Sequence, residues 1–150
     1  MPLNIVLIEP EIPNNTGNIG RLSLATGAHL HLVKPFGFEL SDSKLKRAGL
    51  DYWQHISLHI YENVAAFFEQ HKDEKMAFFS SHGTKNYCDL QFNENQYLVF
   101  GKESEGLPKE LLAQHESETY SIPISSDKVR SLNLANAVAV VAYEGIRQLK

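Results

Sequence analysis

The chain has 150 residues, 43% of them apolar and 21% charged, with a formal net charge of −4. That length suits one domain with a full core. No apolar run reaches the roughly 20 residues of a bilayer span, and an acidic balance argues against holding nucleic acid by bulk charge. Cys88 is the only cysteine, which excludes an intramolecular disulfide and a thiolate metal cluster. A cytoplasmic protein without membrane contact is expected.

In chain order, MPLNIVLIEP lacks the basic start of a signal peptide. Its stretch Leu3–Pro10 reads as a buried strand. PNNTGNIGR follows as a loop, and TGNIGRLSLATGA has helical spacing, with Gly27 placed to end the helix. HLHLVKP alternates and reads as the next strand. Residues 3–35 therefore form a βαβ unit, which predicts a parallel sheet and an α/β fold with flanking helices. DSKLKRAGLDYW predicts a short helix capped by Ser41 or Asp42. ISLHIY reads as a strand and ENVAAFFEQHK as a helix with Val64, Phe67 and Phe68 on one face. KMAFFSS and QYLVFG are two further strands. PKELLAQH is a helix with Pro108 in its first turn, and YSIPI is a short last strand. The closing helix, NLANAVAVVAYEGIRQLK, has small apolar residues nearly all round, which predicts burial on more than one side, by the core or by a second subunit.

Three Gly- or Pro-marked segments stand out: PNNTGNIGR (13–21), FGKESEGLP (100–108) and IPISSDKVRSLNLAN (122–136). In an open α/β sheet, ligands bind at the carboxyl ends of the strands, and all three segments are expected there. None matches a nucleotide phosphate loop. Gly17 and Gly20 would serve a tight turn before the helix, and Gly101 a close backbone approach to a ligand. An arginine near a helix start opposes the macrodipole, so Arg21 needs an anionic partner, either an internal carboxylate or a phosphate. Glu103 is a candidate acid. Ser131 or Asn133 is a natural cap for the closing helix. His29 with His31, and His55 with His59, could share a face, but no acid cluster accompanies them and no metal site is expected. Lys44, Lys46 and Arg47 form one basic cluster, and Lys128 and Arg130 another. Each is either a solvated face or a contact for a polyanion.

IPNNTGNIGR, FGKESEGLP and IPISSDKVRSLNLANAVAVVAYE resemble, in order and spacing, the three motifs of the SPOUT (SpoU–TrmD) RNA methyltransferases. KPFGFELSDSKLKRAGLDYW is similar to the small TrmL/YibK-like group of tRNA (cytidine/uridine-34) 2′-O-methyltransferases, which act on leucine tRNAs. The resemblance spans essentially the whole chain, with no appended RNA-binding domain. It implies a C-terminal trefoil knot, a homodimer and S-adenosylmethionine as methyl donor. Carried over by motif, the cofactor contacts are Phe79, Gly101, Ile122, Ser131, Leu132 and Asn136. The catalytic group is Arg21, Glu103, Ser131, Asn133 and Tyr143. Asn15, Arg21, Lys46, Arg47 and Arg130 are expected on the RNA, with Lys44, Lys128 and Arg147 in the same basic pool. Two rivals remain: a 2′-O-methyltransferase for another tRNA or rRNA site, and a non-catalytic RNA-binding protein of the same fold.

Overall fold

Strand β1 (Asn4–Ile8) is buried along its whole length, as its unbroken apolar run requires. The computed structural model describes residues 2–41, 43, 45, 47 and 50–150, with the backbone alone for 50 and 51. The expected cap Asp42 and the cations Lys44 and Lys46 lie outside the described residues.

From β1 the chain enters helix α1 (Pro13–Thr26) and returns as β2 (His29–Val33). A 3-10 helix (Leu50–His55) leads to β3 (Leu58–Tyr61), α2 (Val64–Gln70) and β4 (Met76–Phe79). A two-residue strand β5 (Lys85–Asn86) precedes β6 (Tyr97–Phe100) and α3 (Lys109–Gln114). Then come β7 (Thr119–Ser121) and α4 (Leu134–Leu149). The seven strands are ordered β3-β2-β1-β6-β4-β7-β5, and every pair is parallel.

Alternation along β1 divides the core in two. Leu3, Ile5 and Leu7 join the cluster under α1 and α4, with Ile19, Val138 and Val141. Val6 and Ile8 join the opposite cluster, with Phe67 of α2 and Leu111 of α3. Burial on both faces is what a fully parallel sheet demands.

Three local expectations change. Helix α1 starts at Pro13, so PNNTGNIGR is the first part of a helix and not a loop. Proline is pre-set for the first helical turn, where its missing N–H costs nothing. Pro108 stands just before α3 as its cap residue. β7 ends at Ser121, since Pro123 cannot donate to a ladder. Within one chain, α4 is buried only along Val138, Val141, Ala142 and Gly145. Val140 and Tyr143, on its outer side, stay 37% and 51% exposed.

Candidate active site

The first site element is the N-terminus of α1. Its cap residue is Ile12, which has no side-chain acceptor. The orphan donors of a helix start must find partners elsewhere. Glu103, from the segment after β6, takes the donor of the cap residue and braces the residues around it. Its carboxylate accepts from the backbone N–H groups of Glu11 at 2.8 Å and Ile12 at 2.9 Å, and from Asn15 Nδ2 at 3.1 Å. The exchange is reciprocal, because Glu11 Oε1 accepts from the N–H of Ser104 at 2.9 Å. Hydrogen bonds from Ser104 hold the Glu11 carboxyl below the usual carboxylate range. Glu9, at φ 54°, pairs with Lys102 Nζ at 3.3 Å. The first two motifs are thus zipped together at the carboxyl ends of neighbouring strands β1 and β6.

The third motif joins through Asn15. Its Oδ1 accepts from Asn133 Nδ2 at 3.0 Å, and Asn133 Oδ1 caps α4 by accepting from the N–H of Asn136 at 3.2 Å. Asn15 is buried, and both ends of its amide are committed inside the protein. Between α1 and α4 lies a groove of about 650 Å³, lined by Asn15, Asn18, Arg21, Asn133, Asn136 and small alanines. Amides and a guanidinium offer many donors and several acceptors, but no nucleophile.

Arg21 lies beyond the second turn of α1, exposed. Among the described residues no carboxylate pairs with it. Its guanidinium lies 5.0 Å from the centre of the Tyr52 ring. Gly20, beside it, faces no turn. A Cβ there would come within 2.8 Å of Trp53 and Ile56, so this glycine lets the 3-10 helix lie directly on α1. Tyr52 stands in the KPFGFELSDSKLKRAGLDYW stretch, but nothing in a one-dimensional reading pairs it with Arg21.

Three of the six expected cofactor positions lie together, while Asn136 lines the groove with Arg21. Phe79, Gly101 and Ile122 stand at or just past the ends of β4, β6 and β7, three adjacent strands. Phe79 pairs in register with Phe100 on one side and Tyr120 on the other. Its ring is buried against Phe100 at 4.9 Å, so it offers this edge its backbone. Gly101 serves the fold of its own loop. A Cβ there would meet the carbonyl carbon of Gly106 at 2.1 Å and the nitrogen of Leu107 at 2.2 Å. Ile122 is half-buried, which leaves apolar surface beside polar backbone. This mixture suits an adenosyl sulfonium.

Ser131, Arg130 and Arg47 are exposed. Tyr143 is ten residues beyond Asn133, about 15 Å along α4. One chain therefore does not bring it to Glu103. Arg147 is held by Glu144 through two hydrogen bonds of 3.0 and 2.8 Å, and Arg147 with Gln148 holds Glu144 down to about 2.

Comparison with known proteins gives a consistent picture. The model of the SpoU rRNA Methylase family matches residues 2–143. The chain is 47% identical over 147 residues to the tRNA (cytidine(34)-2′-O)-methyltransferase of Saccharophagus degradans, covering 97% of this chain and 95% of that one. A solved structure concerned with 2-OH methylation of C/U34 on tRNA superposes with a TM-score of 0.94 at 49% identity, covering 98% and 95%. An AdoMet-bound rRNA methyltransferase from Sinorhizobium meliloti superposes with a TM-score of 0.89 at 25% identity, covering 99% of this chain and 57% of that one.

Proposed function

Because the chain belongs to the SpoU rRNA methylase family, we propose that it methylates the ribose 2′-hydroxyl of the wobble nucleotide of leucine tRNAs. The target is a cytidine or modified uridine at position 34, and the methyl donor is S-adenosylmethionine. The observation that carries this reading is the Glu103–Asn15–Asn133 connection, which joins all three motifs beside a groove that contains Arg21. The identity to a relative named for this reaction supports the tRNA position.

When bound, the cofactor supplies a methyl group on a sulfonium. Phe79, Gly101, Ile122, Ser131, Leu132 and Asn136 hold it. The protein must then align the 2′-hydroxyl and let its proton leave. A guanidinium is no base in proteins, so the task of Arg21 is to hold the phosphate next to the reacting ribose and to stabilise the oxygen as charge develops. Glu103 acts by fixing the start of α1, and Asn15 and Asn133 by fixing the groove walls. Arg47 and Arg130 contribute to the RNA face, with Lys46 beside Arg47 in sequence.

The reading includes a trefoil knot in the C-terminal half, one domain over residues 1–150, a cytoplasmic location and a homodimer. No helix among the described residues is long and apolar enough to cross a membrane. The outer side of α4, with Val140 and Tyr143 uncovered, supports the second copy, and a second copy could bring Tyr143 to a site it cannot complete alone.

The test is methyl transfer from labelled S-adenosylmethionine to purified leucine tRNAs, with nuclease mapping of the label, for wild type beside Arg21→Ala. Label on the wobble ribose, lost in the variant, is expected. Label elsewhere in the tRNA, or none on any leucine tRNA, would move the assignment to another site.

A further inference from the structure

We propose that Tyr52 is a positioning residue, which holds the Arg21 guanidinium over its ring so that the charge faces the groove and stays free for a phosphodiester of the RNA. The inference rests on the proposed reaction and names a residue outside the three motifs that carry the expected catalytic and cofactor residues. Arg21 Cζ lies 5.0 Å from the ring centre, within the range of cation–π attraction. The segment that carries the ring is anchored. Its neighbour Trp53 packs on Gly20, the neighbour of Arg21, so closely that a single Cβ would not fit. Tyr52 is 39% exposed, so filling the core does not explain it.

The choice of partner matters chemically. A carboxylate would hold Arg21 equally well, but it would neutralise the charge and occupy the N–H donors. A ring face attracts the cation and leaves the donors on the guanidinium edge unspent. Among the described residues no carboxylate competes for Arg21. The charge is thus poised beside Asn18, Asn133 and Asn136 in the groove. An anion that approaches there meets both charge and amide donors.

The experiment is a double-mutant cycle on methyl transfer, with Tyr52→Leu, Arg21→Ala and the pair, beside Tyr52→Phe. Tyr52→Phe keeps the ring face and should stay within about two-fold of wild type. Tyr52→Leu should lower kcat/KM by about 2- to 30-fold, and should add nothing once Arg21 is alanine. The Arg21 Nε–Hε proton, shielded by the ring in wild type, should lose that shift in Tyr52→Leu. A wild-type rate in Tyr52→Leu, equal losses in the Leu and Phe variants, or additive effects would overturn the proposal. Should the wild type methylate no tRNA, the functional reading fails. The cycle is then read as affinity for an anticodon stem-loop, and an unshifted Arg21 proton or additive affinities would still sink the role of Tyr52.

Discussion

Asn133 donates its side-chain amide to Asn15 at 3.0 Å across 118 residues of chain. That bond fixes the orientation of both amides. Asn15 must present its oxygen to Asn133 and its nitrogen to Glu103, so it can serve as a relay only as an amide. Asn15→Asp would place a second carboxylate at 3.1 Å from Glu103. The variant should lose about 2–4 kcal/mol of stability at pH 7. One of the two carboxyls would then have a raised folded-state pKa, so its contribution recovers as pH falls. Denaturant unfolding at pH 7 and pH 5 should show the gap to wild type narrowing at the lower pH. An equal gap at both would mean that the two carboxylates do not face each other.

Glu103 accepts from two backbone N–H groups and one amide, which describes an anchor more than a base. Glu103→Gln keeps the shape but turns a charged acceptor into a neutral group with a donor. The expected loss is about 2 kcal/mol, in the range for hydrogen bonds to a charged partner. Methyl transfer should fall, while its pH profile should keep its shape. A profile that loses its acidic limb in this variant would make Glu103 the proton acceptor instead.

These two residues also mark where the sequence is legible and where it is not. Local signals sufficed for Gly27, which ends α1 in a left-handed conformation, and for Asn133, which caps α4 with its own side chain. Both are devices of adjacent residues. The start of α1 is not legible locally, because the carboxylate that braces it, Glu103, is about ninety residues away. Asparagines in a first turn then look like a loop, since their propensity is loop-like until a distant carboxylate holds the helix start. Strand β5 has only two residues, too few for any alternation to show. The glycines were visible, but their reasons were not. Gly20 and Gly101 serve contacts with Trp53 and Gly106, and such contacts exist only once the chain has folded.

The outer side of α4 gives a prediction about assembly. Val140 is 37% and Tyr143 51% exposed. A homodimer through this side would desolvate Val140. Val140→Glu should then shift the protein to monomer in sedimentation, because an unpaired buried charge costs several kcal/mol. The single chain should still fold, since Val140 lies outside the core. An unchanged sedimentation coefficient would place the interface elsewhere.

On the opposite face of the sheet, His31 is buried in a network that has room for one proton arrangement only. Asn4 donates from Nδ2 to the carbonyl of Asn95 at 3.1 Å, so its oxygen faces His31 Nε2 at 2.9 Å and must accept. His31 Nδ1 then accepts from the Tyr61 hydroxyl at 2.7 Å, and the Tyr61 oxygen takes the N–H of His71 at 2.9 Å. Neutral His31 satisfies every group. Burial, reinforced by His59, His71 and His29, pushes its pKa down to about 3. A base with a depressed folded-state pKa stabilises fully above the unfolded value of about 6.5 and loses that contribution as pH falls toward 3. Stability should therefore drop by about 1.4 kcal/mol per pH unit below 6.5 from this residue alone. His31→Gln should be less stable at pH 7, yet its unfolding between pH 6 and pH 4 should take up about one proton fewer than wild type. Equal slopes in the two proteins would show that His31 takes up its proton in the folded state.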